Sequence, residues 1–395
     1  MPLYLYDDAR ARLFEPFALT RPASELRAGA WLARERWEAV FGERAAGFIG
    51  ADHLAEFEEF DAPPWVGPDV ELPAGAVVAN SRFHVLPAQP IPGASVWTGG
   101  REIAALWLQR PTRVSALADA FSAKDAAGEE LKGRWIREVW ELVAKLTAQL
   151  VDDINALAPQ LDTTSADAVV LGDPKAVHVE RGAIVEPHVL FDVAAGPVLV
   201  RRGATVHAFT RLVGPTYIGT ASSVMGDRIA GCAIGDCCRV HGEMSVSVVL
   251  GHSNKSHEGF VGHSYLGRWV NLGAGTVTSN LKNTYGPVQL WTPGGMRDTT
   301  MTFLGSMIGD YAKTGIGTRL TTGTVIGAGA NIFPSGTAPK VVPPFAWGED
   351  EPAVSFGLAK FLEVTARQMD RRGVSLSQRA RRHLSHIHRL SARAG

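Results

Sequence analysis

The feature that most constrains this chain is a six-residue beat. Val200, Val206, Leu212, Ile218 and Val224 stand six residues apart, as do Val179, Val185 and Phe191, and then Ile234, Val240 and Val246. The beat returns at Ile308, Thr314, Leu320, Ile326 and Ile332, and a glycine directly follows Ile218, Ile234, Leu266, Leu272, Ile308 and Ile326. Such a unit forms one flat side of a triangular coil, a short strand followed by a turn. The aliphatic residue points into a narrow prism, each coil covers the one beneath, and only the stack is stable. The glycine suits a corner, where the backbone takes a positive φ or another coil lies close. Glycine numbers 42 in 395 residues, about half again its usual share, as such a fold requires.

The remainder has a different texture. Residues 1–165 mix short apolar runs with turn residues, and Leu26, Ala30, Ala33, Trp37 and Phe41 recur at helical spacing before Gly42. Strand, helix, strand and helix in that order predict an α/β domain with a largely parallel sheet. A second stripe, Trp135, Val139, Leu142, Leu146, Leu150 and Ile154, predicts a linker helix over 129–157. The β-helix is expected over 166–345, and a helical, basic tail over 346–395. In that tail Leu358, Leu362 and Met369 share a face, while Arg379, Arg381, Arg382 and Arg389 read as the solvated side of a packing helix.

A formal net charge of −1 gives no general reason to expect nucleic acid or membrane as a partner. The opening MPLYLYDDARARLF lacks the basic and apolar regions of a signal peptide, and no window holds the roughly 18 apolar residues of a membrane helix. Cys232, Cys237 and Cys238 are clustered without ligand spacing and read as reduced thiols, so no metal is expected and the cytoplasm is the expected location.

The segment VNLGAGTVTSN, Val270 to Asn280, resembles the VNIGAGTITxN of the bifunctional bacterial enzymes that make UDP-N-acetylglucosamine. Those fuse a sugar-phosphate nucleotidyltransferase to a left-handed β-helix acetyltransferase. GHSYLG before the motif and FLGSMIG after it are similar to that family's GHLTYLG and FVGSD. SNKSHEG, SNLKNTYG and PPFAWG resemble a group of sugar nucleotidyltransferases built on the same two-part plan. The resemblance spans about 1–348. It implies a degenerate Rossmann-like nucleotidyltransferase fold before a left-handed parallel β-helix. It also implies a transferase acting on a hexose or hexosamine 1-phosphate in cell-envelope precursor metabolism. Acetyl-CoA as acyl donor, Mg2+ with a nucleoside triphosphate, a sugar phosphate or sugar nucleotide as partner, and a homotrimer follow from it.

Two departures bear on that reading. The family's first strand runs into a Gly-rich loop whose backbone N–H groups hold a triphosphate. Here LYLYDDARARLF stands in its place, with no glycine and two aspartates. The family's histidine lies three residues before a tyrosine, whereas His263 lies two before Tyr265. On a strand one residue of slip reverses the face, so His263 points into the coil unless a local bulge re-aims it.

Acyl transfer to a sugar needs a base, and a neutral histidine supplies one at pH 7. His263 is the candidate, with His257 and His252 as alternates. Asn271 and Asn280 match the family's sugar- and acyl-carrier-binding positions, although corner asparagines also serve as turn ladders. Ala274 and Ser306 match positions whose backbone meets the acyl donor. Tyr265 completes the candidate substrate groove. Lys255 and Lys282 sit where the six-residue beat breaks and are expected on projecting loops as phosphate contacts, with Arg228 a lesser candidate. In the first domain Arg21, Arg27 and Asn80 are the candidates, Asn80 because it ends an apolar run at a strand's carboxyl end. The competing reading is a non-catalytic sugar-nucleotide-binding or scaffold protein. A zinc-dependent hexapeptide enzyme would need three of His207, His241, His252, His257 and His263 around one ion.

Overall fold

The computed structural model describes residues 1–87, 89–91, 93–123, 127–164, 167–348 and 354–394. The boundary expected at 165/166 lies outside the described residues. Two compact units emerge: one comprises Met1–Leu26, Trp31–Val139 and Ser377–Ile387, and the other Arg27–Ala30, Trp140–Leu376 and the residues from His388 on.

The first unit is built on a six-stranded sheet. Leu3–Tyr6 lies between Ala45–Ile49 and Val77–Asn80 and is parallel to both. Beyond them, Glu102–Trp107 is antiparallel to Val77–Asn80 and to Val96–Gly99. The expected largely parallel sheet is thus mixed. Gly99–Glu102 is a tight hairpin with Gly100 at φ 66, and so short a turn can join only antiparallel strands. Leu5, Trp37, Phe48, Val77 and Ala105 form the core, each at most 1% exposed.

The helix expected from Leu26 begins later, at Ala33, and ends at Phe41. Its first turn is secured by the Glu35 carboxylate accepting from the Leu32 N–H at 2.7 Å, and Gly42 closes it at φ 70. The linker helix is shorter than the stripe suggested. Gly133–Trp135 pairs antiparallel with Phe83–Val85, where Gly133 lets the Phe83 ring come within 2.4 Å of where a Cβ would stand. Helix starts only with Glu141–Ala144 and Leu146–Leu157.

The second unit is a parallel β-solenoid with three faces. Two carry ten strands each; the third carries six and continues in the pair Val277–Thr278 and Arg319–Leu320. One inward column runs Val200, Ile218, Ile234, Val249, Leu266, Ile308, Ile326 and Val342, in register coil on coil and at most 3% exposed. The glycines beside these residues serve the second of the two purposes expected. A Cβ on Gly235 would lie 2.2 Å from the Leu250 carbonyl oxygen, so coil-to-coil approach excludes any side chain there. The left-handed corner conformations fall instead to residues such as His252, His263 and Trp269. Val246 is a second correction: it sits at such a corner with φ 44, and Met244 fills the prism in its stead.

Between Thr278 and Met307 the chain leaves the stack and returns. This excursion holds an antiparallel hairpin of Gln289–Thr292 and Gly295–Asp298. After the last coil come the helices Leu358–Asp370 and Gln378–Ala394. Phe361 anchors the former against Phe345, ring centroids 5.0 Å apart.

Candidate functional site

At the carboxyl ends of Leu3–Tyr6 and Val77–Asn80, Asp7, Asp8, Asn80 and Arg82 meet. Asn80 donates from Nδ2 to Asp8 at 3.0 Å, and Arg82 Nη2 donates to the same carboxylate at 2.5 Å. Asp8 also accepts from the backbone N–H of Arg10 and Ala11, at 3.1 and 2.9 Å. Burial would raise the Asp8 carboxyl, but the Arg82 and Asn80 hydrogen bonds prevail and hold it below the usual range. Asp7 is fully buried and accepts from the Ala23 N–H at 2.7 Å; burial pushes it up to about 6. The loop amides that a phosphate would need are therefore held by an internal carboxylate.

Arg21 is not presented to this cluster. Its guanidinium is 1% exposed, pairs with Glu59 at 2.6 Å, and lies over the Phe57 ring. Arg27 and Tyr265 are brought together, as scaffold rather than as substrate contacts. The Tyr265 hydroxyl accepts from the Arg27 N–H at 2.8 Å and donates to its carbonyl at 3.1 Å, while the Arg27 guanidinium donates to the Ala30 carbonyl and lies over Tyr217.

On the solenoid, His263 occupies a corner at φ 48 and is half-buried. It points neither into the coil nor along a bulged strand: the left-handed corner turns the ring outward, stacked 5.4 Å from Phe303 at the excursion's return. One coil further, Asn280 brings its amide 2.8 Å from His263 Nδ1. Burial lowers the imidazole below its ordinary 6.5, so it is neutral at pH 7. Lys282 follows on the excursion, half-buried and near enough to Lys340 to help burial depress that amine.

Lys255 corrects the expectation of a projecting loop. It takes the inward position that Val240 fills on the preceding coil, is 3% exposed, and donates from Nζ to the carbonyls of His241 and His257 at 2.6 and 2.9 Å. Its apolar stem fills the prism while its ammonium finds backbone oxygens, and burial pushes it down to about 8. Ser306 is likewise buried, its backbone paired with Ser264 and Tyr265. Ala274 is half-buried, and its carbonyl accepts from the Gly317 N–H at 2.7 Å.

Of the alternate histidines, His252 is buried with its ring 4.6 Å from that of Trp269, and His257 contributes the carbonyl already named. Arg228 lies exposed, 3.5 Å from Glu243. Among the described residues no three His, Cys, Asp or Glu side chains gather as a metal site. Asn271 lies apart from the His263 pair, accepting from Asn254 Nδ2 at 3.2 Å in a cavity lined by Arg239, Lys313 and Arg372. Those three cations escaped the sequence reading. The signal was present, since each of Arg239, Asn254, Asn271 and Lys313 directly precedes a residue turned into the prism.

Residues 3–160 match the family model described as Sugar nucleotidyl transferase. A bifunctional sugar-1-phosphate nucleotidylyltransferase/acetyltransferase of Sulfurisphaera tokodaii is 35% identical over 23% of this chain and 23% of its own. The bifunctional protein GlmU of Desulfitobacterium hafniense is 28% identical over 55% of this chain and 51% of its own. The matches thus span about a quarter to a half of these relatives' length. Among solved structures, AntD, an N-acyltransferase from Bacillus cereus, aligns over 52% of this chain and 92% of its own at 11% identity, with a TM-score of 0.24 too low to argue from. The chain is similar to the GlmU-type proteins over part of their length, and its residues 3–160, which match the sugar nucleotidyl transferase model, are followed by a parallel β-solenoid.

Proposed function

We propose that this chain is a sugar-phosphate transferase of cell-envelope precursor metabolism whose chemistry resides in the solenoid. The observation that carries this is the pair His263 and Asn280. A neutral imidazole, half-buried at an outward corner, stands ready to take a proton from the amine or hydroxyl of a hexosamine or hexose 1-phosphate. The 2.8 Å contact accommodates either orientation of the Asn280 amide. With its oxygen toward Nδ1, the Nδ1–H donates and Nε2 is free to accept a proton. With its nitrogen there, Nε2 carries the proton and donates to a phosphate or oxyanion. Phe303 fixes the ring plane, and Lys282 supplies a cation on the same excursion.

Two cofactors follow from the relatives' chemistry, and neither fits the residues expected to hold it. A triphosphate with Mg2+ does not fit the first domain, because Asp8 already holds the Arg10 and Ala11 amides and Arg82 neutralises Asp8. This favours, for that domain alone, the reading of a sugar-nucleotide-binding module without nucleotidyl transfer. An acyl donor such as acetyl-CoA does not fit at Ser306, whose N–H already donates to Ser264 Oγ and whose carbonyl already accepts from the Tyr265 N–H. The residues named above therefore account for the acceptor half of the reaction only. Exposed Phe209 and Ile316, at 78% and 86%, support association of solenoids, and a homotrimer in the cytoplasm is the assembly we infer, checked by light scattering.

The test is acyl transfer from acetyl-CoA to glucosamine 1-phosphate by the full chain. His263→Ala is expected to lower turnover by roughly 10²–10⁴-fold with unchanged melting. In the wild type the rate rises with pH through a pKa below 6.5 and levels off by neutrality. Turnover that survives the substitution, or a wild type inert toward every hexosamine and hexose phosphate, refutes the proposal.

A further inference from the structure

Arg239, Asn254, Asn271 and Lys313 occupy the same rung on four successive coils of one face. Each is the outward neighbour of a residue turned into the prism, so the four form a straight outward ladder. At a strand spacing of about 4.8 Å it extends roughly 14 Å. Across from it stand Val364, Arg367 and Gln368 of the helix Leu358–Asp370, then Arg371 and Arg372. Together with His252 they enclose a cavity of about 380 Å³, within the range of small-molecule sites.

Five cations line this cavity, Arg239, Lys313, Arg367, Arg371 and Arg372, and no carboxylate does. Arg367 is balanced by Glu363 at 2.5 Å. The other four have no carboxylate within 4.0 Å among the described residues: Arg372 donates to the neutral Asn254 amide, and Lys313 to the Tyr311 carbonyl at 3.0 Å. The repulsion is felt within the site, where burial and then Arg239 depress Arg372. Gln368 adds an acceptor. Its Nε2 donates to the Trp269 carbonyl at 2.6 Å, while its Oε1 is buried with no partner among the described residues. A concave site with four cations lacking a carboxylate partner matches a ligand with several phosphoryl charges. Arginine forks and an ammonium are the groups that bind phosphate oxygens best.

We propose that this pocket binds the diphosphate of a nucleotide-type small molecule, the phosphoryl oxygens toward Lys313, Arg371 and Arg372. The site is separate from His263 and independent of the transferase reading.

The experiment is calorimetric titration of the full chain with inorganic phosphate, inorganic pyrophosphate, ADP and UDP at low salt. Pyrophosphate and at least one nucleoside diphosphate are expected to bind at least tenfold more tightly than phosphate, weakening as salt rises. Lys313→Ala with Arg371→Ala is expected to weaken both at least tenfold with melting unchanged. Should that double variant melt early, Arg239→Gln on an exposed side chain takes its place, with at least a threefold loss expected. His263→Ala is expected to bind like the wild type. Absence of diphosphate binding by the wild type, equal affinity for phosphate and pyrophosphate, or binding that outlasts the cation substitutions overturns the proposal.

Discussion

The strand-end cluster around Asp8 and the ladder around Lys313 are both dense in charge and partly removed from water, yet they balance that charge in opposite ways. At Asp8 the carboxylate is matched internally: Arg82, Asn80 and two backbone N–H groups converge on it. At Lys313 four of the five cations have no carboxylate partner among the described residues. A closed set of partners stabilises the fold and leaves nothing for a ligand, whereas an open set holds the molecule in a state that an anion would improve. The match to the sugar nucleotidyl transferase model lies over the closed region, and the pocket proposed to take a diphosphate lies in the open one.

The contrast breaks most sharply under substitution of its arginines. Arg82→Met leaves Asp8 buried without its cation and is expected to cost about 3–5 kcal/mol in urea denaturation followed by tryptophan fluorescence. Arg371→Gln, across the cavity from the ladder, is expected to change stability by less than about 0.5 kcal/mol. Similar losses for the two would erase the distinction.

A smaller effect lies in the pH dependence. Lys255 and Lys313 are both held down to about 8 in the folded chain against an ordinary 10.5. Between those values the unfolded chain binds more protons, so stability rises with pH across the window, by at most ~1.4 kcal/mol per pH unit for each lysine. Saturating pyrophosphate raises the Lys313 value and removes its share, while the share of Lys255, inside the prism, persists. A pH profile flat from 8 to 10.5, or one that pyrophosphate flattens entirely, contradicts this placement. Comparable in size, Asn271→Ala removes the amide contact to Asn254 and is expected to cost about 0.5–1.5 kcal/mol in the same titration.

The solenoid was legible because its core is written locally. Ile218, Ile234, Leu266, Ile308 and Ile326 each announce an inward position by their own chemistry and the glycine beside them. The reading failed where a coil shortens, as at Met244, or where a polar residue goes inward, as at Lys255. Periodicity places a residue only while the coil length stays constant. The Lys313 pocket was hidden because its other wall is a helix more than forty residues downstream. In the first domain, Asn80 could be placed at a strand end, but nothing local shows that Asp8 would meet Arg82, 74 residues away. Trp135 followed helical spacing by accident, its register set instead by the Phe83 strand.

The excursion between Thr278 and Met307 has a consequence for how such a chain tolerates additions. Leu266 and Ile308 are stacked neighbours, as are Ile308 and Ile326, although the first pair is joined by more than twice the length of chain. Closing the longer connection costs only roughly 0.8 kcal/mol more in chain entropy, because that term grows with the logarithm of length. A corner of the prism is therefore a place where new polypeptide can be inserted almost without penalty. Phe303 shows what an insertion can bring to a neighbouring histidine while every coil above and below keeps its seat.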